Sequence, residues 1–385
     1  MQTVLYLYTV LFMAPLHPIR RAALPAPIHG RGAIGNVEHR FQRDTRAPEH
    51  DFAAEQDGQE DESAASVRTT VNVESARKLL SYNVSPDIPF DRAVNPYRGC
   101  EHGCTYCYAR PTHAYLGYSP GLDFETRLIA KANAVQALRA ELGRPGYRPD
   151  IITLGSATDG YQPIERQWQL SRGILQLLDE CSHPVVIVTK NALVQRDIDI
   201  LASMAQRSLA GVLFSITTLD ADMARTLEPR ASAPWRRLSA MQALSQAGVP
   251  VGVLVAPLIP FITDMQLEQV LAAAAQAGAC TAGYTVLRLP HEVRQVFTEW
   301  LQANFPDRAQ RVLHRIEELN GSRDATGAAS SSRFGARMRG EGVWAQMLAQ
   351  RFELARRRSG LQQRGFQLDR SRFSPPVLNG QGQLF

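Results

Sequence analysis

PVVIVTKNALVQRDIDILASMAQRSLAGVLFSI, residues 184–216, decides the fold. An apolar run at 184–189 is followed by helical spacing over 193–204 and a second apolar run at 211–216. Two buried strands joined by a helix form a βαβ unit, and such units build parallel sheets. The alternation continues both ways. Upstream, residues 125–142 set Leu128, Ile129, Ala132, Val135, Leu138 and Leu142 at helical spacing, 150–154 is a short apolar run, and 164–179 is helical again. Downstream, 235–247 reads as a helix stopped by Gly248, 249–258 as a strand, 264–277 as a helix and 281–287 as a last strand. Five strands thus follow residue 111, and a weaker one is expected at 80–84. The expectation is an α/β fold, a partial (β/α)6 TIM-like barrel over 78–290, whose chemistry would sit at the C-terminal strand ends. A doubly wound sheet is the alternative, but no G-x-G-x-x-G follows a first strand to support it.

The flanks read differently. Residues 1–77 are expected to be an irregular extension, with an acidic linker at 49–66. Residues 291–385 read as a helical, basic region: 308–319 has helical spacing, and 333–372 holds ten arginines against Glu341, Glu353 and Asp369. The first nineteen residues carry no charge, yet no basic stretch precedes the apolar run from Val4 to Phe12 and no small-residue cleavage site follows it. That run is short of the about 20 residues a membrane span requires. A true start at Met13, a cytoplasmic location and no membrane segment are therefore expected. The net charge of +5 is too mild to be a nucleic-acid signature by itself. Only Lys78, Lys131 and Lys190 are lysines, so each marks a place where a compact charge was kept among arginines.

Three of the five cysteines crowd into NPYRGCEHGCTYCYARP, residues 95–111. The odd count and the crowding oppose a disulfide framework and favour metal chemistry in a reducing compartment. Cys100, Cys104 and Cys107 are spaced C-x3-C-x2-C, and each thiolate can take one iron of a cubane, leaving the fourth iron open. Gly99 and Gly103 let the loop curl. A zinc site would need a second ligand pair, and the nearby His102 and His113 do not make that spacing. Cys181 and Cys280 read as structural thiols.

The cysteine segment resembles the radical S-adenosylmethionine (SAM) superfamily, whose signature is C-x3-C-x-aromatic-C, with Tyr106 in the aromatic slot. FETRLIAKANA (124–134) and LEPRASAPWRRLSA (227–240) extend the resemblance to the branch of spore photoproduct lyase and its uncharacterised relatives, often labelled DNA repair photolyases. The likeness covers about residues 79–290 and extends towards SRFGARMRG in the C-terminal region. It implies a [4Fe–4S] cluster and SAM as cofactors and a low-potential electron donor as partner. SAM would chelate the fourth iron, and its reductive cleavage would give a 5′-deoxyadenosyl radical that abstracts hydrogen from the substrate. Polar residues at the strand ends are the candidate SAM contacts. Ser156, Thr158 and Asp159 follow the 150–154 strand, and Thr158 or Asp159 could take the SAM ammonium. By resemblance, Lys190 and Ser215 look like carboxylate or ribose contacts; Arg230 could fork onto the carboxylate. Tyr106 would pack on the cluster or the adenine.

One departure bears on substrate. Spore photoproduct lyases carry a hydrogen-donor cysteine just after the second strand, whereas residues 154–159 read LGSATD. The expected function is a radical SAM enzyme of unknown substrate, not spore photoproduct, with nucleic acid as a candidate substrate class. The alternatives are a peptide- or protein-modifying radical SAM enzyme and a non-catalytic iron–sulfur protein. The arginines of 333–372 could supply phosphate contacts or form a solvated face. The end of the chain, with Gln381, Leu384 and Phe385, resembles the short peptides that dock on the bacterial DNA sliding clamp.

Overall fold

A computed structural model describes residues 27–42, 67–320, 337–363 and 365–377. In chain order the strands are β1 (Thr70–Glu74), β2 (Leu80–Tyr82), β3 (Arg92–Val94), β4 (Tyr97–Arg98), β5 (Arg127–Lys131), β6 (Ile152–Leu154), β7 (Val185–Thr189), β8 (Ala210–Ser215), β9 (Val251–Leu258) and β10 (Thr281–Val286). The α-helices are α1 (Asp123–Thr126), α2 (Ala134–Leu142), α3 (Glu165–Trp168), α4 (Leu170–Glu180), α5 (Ile198–Gln206), α6 (Ala221–Leu227), α7 (Pro234–Gln246), α8 (Leu267–Gln276), α9 (Val293–Asn304), α10 (Ala309–Leu319) and α11 (Gly342–Arg358).

Seven strands form one sheet in the order β10-β9-β8-β7-β6-β3-β2. All six from β3 to β10 in that order run parallel, and β2 is an antiparallel edge on β3. This is the partial (β/α)6 barrel. A parallel strand covered on both faces is apolar along its length, as the VGVLVAPL of β9 shows. Each valine or leucine side chain stabilises the fold by about 1.5–3 kcal/mol when fully buried. The apolar stripes of α2, α4, α5, α7 and α8 complete the same core. α9 and α10 form a second core that reaches Cys104 and Tyr106. Among the described residues, no helix is long and apolar enough to cross a membrane.

Three sequence expectations shift. The first parallel strand is β3, not residues 80–84: β2 is only an antiparallel neighbour, and the polar 83–91 stretch lies between the two. The helix expected over 125–142 is broken. Residues 127–131 form β5, paired parallel with β1 and antiparallel with β4, and Leu128 and Ala130 are buried on its inner face. Pairing with distant strands overrides local helical spacing there. The helix expected over 164–179 bends at Gln169, whose φ is +47°.

The flanking segments pack on the barrel. Residues 31–37 are held by Glu125 and Ser119, with Gly32 against Gly103 of the cysteine loop. At the other end, residues 361–363 and 365–374 cross the N-terminal ends of the strands. The Gln362 amide donates to the Cys280 carbonyl before β10 (2.8 Å), Asp369 to Ser208 before β8 (2.8 Å) and Ser374 to Cys181 before β7 (2.9 Å). A Cβ added to Gly211 on β8 would run into the Phe366 ring, so this strap fits only a bare backbone. Phe373 packs on Tyr147 and His183, and Arg370 pairs with Asp150 at 3.0 Å. The expectations for Met13, the 49–66 linker and the terminal residues Gln381, Leu384 and Phe385 lie outside the described residues.

Candidate active site at the C-terminal mouth of the barrel

The cysteine loop follows β4 and is built from successive tight turns. Gly103 N donates to Cys100 O, Cys107 N to Cys104 O and Arg110 N to Cys107 O. Gly103 has φ +68°, and a Cβ there would press on the Glu125 carboxylate at 2.7 Å. A Cβ on Gly32 would in turn overlap the Gly103 carbonyl oxygen. Two backbones meet here with no room for a side chain on either.

Buried polar groups that sequence reasoning missed hold the loop from within. Arg110 is fully buried, and its guanidinium donates to Cys104 O, Pro120 O, Gly121 O, Gly103 O and Glu125. All five of its N–H groups are therefore used. Glu125 also accepts from Gly32 N and Ala33 N at 2.9 Å, which clasps residues 31–33 onto the loop. Arg31 extends the clasp to Glu125 O, Val67 O and Thr69. The available signal was that an arginine and a carboxylate sit inside the segments YARP and FETR, but their partners are distant in sequence.

The LEPRAS segment, 227–232, lines the opposite side. Thr105 N donates to Leu227 O (3.1 Å) and Arg230 N to His102 O (3.2 Å). Glu228, 2% exposed, accepts from Thr217 Oγ1 (2.7 Å), from the Tyr106 hydroxyl and from Arg237. Lys190 Nζ lies 3.2 Å from the same carboxylate. Burial alone would raise the Glu228 carboxyl, but Arg237 and Lys190 beside it hold it well below the usual carboxylate range. Arg237 is itself 1% exposed and also donates to Ser232 O and Ser215 O.

The sequence-predicted residues fall into three groups. Tyr106, Lys190 and Ser215 come together: Lys190 Nζ donates to Ser215 Oγ at 2.5 Å and sits 5.5 Å from the Tyr106 ring centroid. Burial, then Glu228, pushes the Tyr106 hydroxyl well up, so it stays a neutral donor. Ser156 and Thr158 lie on the loop after β6. Asn95 Nδ2 donates to Ser156 Oγ, and the Thr158 hydroxyl donates to Tyr97 O. Asp159 is already saturated. Its oxygens accept from Thr189 Oγ1, Tyr161 N and Lys190 N, with His102 Nδ1 at 3.3 Å. A carboxylate offers about four lone-pair sites, so Asp159 stitches β6, β7 and the cysteine loop together. Arg230 pairs with Glu101 at 3.0 Å rather than with the Lys190–Ser215 pair.

The three thiols fit an iron–sulfur cluster by their donor chemistry and crowding. Cys100 and Cys104 are buried and Cys107 half-buried. Burial pushes all three thiols up; Asp159 and the two other thiols add to the effect at Cys100, and Glu228 adds to it at Cys104. Cations beside thiols so placed favour their thiolate forms, and Arg110 and Lys190 act in that sense on Cys107. Among the described residues, no three His, Cys, Asp or Glu side chains converge on a single ion. A cubane does not ask for that, because each thiolate binds a different iron.

The family model of the radical SAM superfamily matches residues 94–274. An uncharacterised protein of Mycobacterium tuberculosis, Rv2578c, is 38% identical over 234 residues, covering 60% of this chain and 68% of its own. An uncharacterised protein of Methanocaldococcus jannaschii, MJ0683, is 24% identical over 222 residues, covering 58% and 79%. Among solved structures, spore photoproduct lyase complexed with dinucleoside spore photoproduct superposes with a TM-score of 0.53 at 16% identity, over 76% of this chain and 81% of that one. A double mutant of spore photoproduct lyase with bound AdoMet and dinucleoside spore photoproduct gives 0.51 at 15% identity, over 76% and 80%. The shared fold and the family match leave one assignment: the chain belongs to the radical SAM superfamily, enzymes that use a [4Fe–4S] cluster and S-adenosylmethionine.

Proposed function

We propose that Cys100, Cys104 and Cys107 hold three irons of a [4Fe–4S] cluster at the barrel mouth and that the site acts on nucleic acid. The observation that carries the first part is the placement of the three thiols on one clasped loop, with Lys190 within electrostatic reach of Cys104 and Cys107. A [4Fe–4S] cluster held by Cys100, Cys104 and Cys107 would supply a low-potential electron, and SAM beside it a sulfonium open to reductive cleavage. Lys190 offers the ammonium that a SAM carboxylate needs, and Ser215 fixes it from one side while Glu228 balances its charge. Ser156 and Thr158 offer hydroxyls at the β6 end for the ribose or ammonium. Tyr106 stays protonated and packs the space between the loop and Lys190. Asp159 orients His102 and the Lys190 backbone, and Arg230 braces Glu101 on the loop; both act as positioning residues. The clasp over residues 31–33 and the second core beneath Tyr106 exclude water from this end.

The nucleic-acid reading is supported by the shared fold with spore photoproduct lyase, which binds a dinucleoside lesion. The residue set differs at 154–159, where no cysteine stands, so spore photoproduct itself is not the expected substrate. Anaerobic reconstitution with iron and sulfide, followed by dithionite and SAM, should release 5′-deoxyadenosine. A protein that loads a cluster but never cleaves SAM would return the non-catalytic iron–sulfur reading. Incubation with spore-photoproduct DNA should give no repair; multiple turnovers would overturn the substrate argument.

A further inference from the structure

The arginines of 333–372 are the obvious place to look for phosphate contacts, but most are already engaged. Arg351 pairs with Glu268, Arg356 and Arg357 with Glu353, Arg370 with Asp150 and Arg372 with Asp369. Arg337 is held by Asp87. A different face carries unspent charge. Lys78, Tyr82, Arg144 and Tyr147 line a cleft of about 410 Å³ between the β2 edge and the turn after α2. Arg77 and Arg148 flank it in sequence. All four cations are exposed, and none has a carboxylate partner among the described residues. The one acid lining the cleft, Glu141, is buried and accepts from the amides of Leu79 and Leu80.

The aromatic walls are stiffened from below. The Arg92 guanidinium lies 5.6 Å from the ring centroids of both Tyr82 and Tyr147, and Asp91 holds its other side. Tyr82 is still 63% exposed. An exposed aromatic ring among unpaired cations suits one chemistry above others: a base against the ring and phosphates on the cations. β2 ends the strand order and Tyr82 pairs with Arg92 at the start of β3, so the cleft lies on the edge of the sheet towards the N-terminal strand ends, away from the cysteine loop.

We propose that this cleft is a binding surface for single-stranded nucleic acid, with a base on Tyr82 and phosphates on Lys78 and Arg144. It rests on nucleic acid being the substrate class. Arg77 and Arg148 extend the phosphate track to either side. The test is fluorescence anisotropy with a labelled single-stranded oligodeoxythymidine of about 16 nucleotides, at several salt concentrations. Lys78→Ala with Arg144→Ala should weaken binding about tenfold at low salt and flatten the log–log salt slope by about 1.4, or 0.7 per lost phosphate contact. Tyr82→Ala should weaken binding about tenfold with the slope unchanged, because stacking releases no counterions. Arg357→Ala with Arg358→Ala, on the exposed end of α11, is the control and should change neither. SAM cleavage by dithionite-reduced protein without oligonucleotide should match wild type in every variant, which separates this surface from the radical chemistry. Wild-type affinity in the double variant, or loss of binding in the control instead, would overturn the surface while leaving the substrate class standing. No binding by wild-type protein, with SAM cleavage intact, would overturn the surface and the substrate class together.

Discussion

The two ends of the barrel are built from opposite materials. At the C-terminal mouth, Cys100, Cys104 and Cys107 crowd among buried charged groups: Arg110 with Glu125, Glu228 with Arg237 and Lys190, and Asp159 beside His102. At the N-terminal floor, Cys181 and Cys280 sit singly, and their carbonyls receive the strap of residues 361–363 and 365–374. Burial pushes the Cys181 thiol up to about 12, with no second thiol beside it. The mouth accepts the desolvation of many charged groups to hold a loop in one shape, whereas the floor uses apolar contact and backbone hydrogen bonds. Parallel barrels place chemistry at the first end and stability at the second.

The sharpest way to test that contrast is to exchange the cysteines one at a time. Cys100→Ala, Cys104→Ala or Cys107→Ala should each abolish iron loading and SAM cleavage, read by iron analysis and 5′-deoxyadenosine release. Cys181→Ala and Cys280→Ala should leave both intact. A mouth variant that still cleaved SAM would remove the basis of the site.

Next in size is Glu228→Gln. The amide keeps the shape but leaves Arg237 and Lys190 without their counter-charge at a nearly inaccessible position. Breaking a buried pair from one side costs about 3 kcal/mol or more. Urea unfolding should register that loss, and SAM cleavage per bound cluster should fall about tenfold or more, equivalent to about 1.4 kcal/mol in the barrier. Unchanged cleavage per cluster would mean that Glu228 only supports the fold.

How much of this can be read in the sequence depends on whether the signal is local. The three cysteines lie within eight residues, and strands such as Val185–Thr189 announce themselves by composition, so the loop and the barrel are legible. Glu125 contacting Gly32, or Glu228 contacting Tyr106 across more than a hundred residues, leaves no local periodicity. For the same reason β5 reads as helix: its strand partner β1 lies more than fifty residues upstream. Asp159 reads as a free acceptor because a sequence does not show that Tyr161 N, Thr189 Oγ1, Lys190 N and His102 Nδ1 have already reached it. Charge counting likewise points to the C-terminal arginines, whose pairing with carboxylates only the fold reveals.

The floor should respond to acid. His183 is fully buried under the strap, with Nδ1 against the Pro184 carbonyl, Nε2 against the Tyr147 hydroxyl and the Phe373 ring edge-on. Burial lowers its pKa from 6.5 to about 4. A folded pKa below the unfolded one means that the contribution is complete above pH 6.5 and is lost as pH falls towards 4. The expected loss is of order 2–3 kcal/mol. The urea midpoint of wild type should therefore drop more between pH 7 and pH 5 than that of His183→Gln. Parallel acid limbs would show that the ring does not couple to the strap.

The smallest expected effect is also the most specific to the floor. Gly211 has no Cβ because the Phe366 ring occupies that space. Phe366 is only half-buried, so Phe366→Ala should cost about 2 kcal/mol, below the range for a fully buried phenylalanine. Gly211→Ala attacks the same contact from the other side and should destabilise by about 1–3 kcal/mol, because the new methyl overlaps a ring held by its own strap. The two substitutions remove one steric conflict between them, so the double variant should be more stable than the sum of the single losses predicts, by at least about 0.5 kcal/mol. Iron content and 5′-deoxyadenosine release per cluster should stay at wild-type values in all three variants, since Gly211 and the ring of Phe366 against it lie near the N-terminal end of β8, opposite the cysteine loop. Additive losses would remove the strap from the floor, and a fall in SAM cleavage per cluster would show that the two ends of the barrel are not independent.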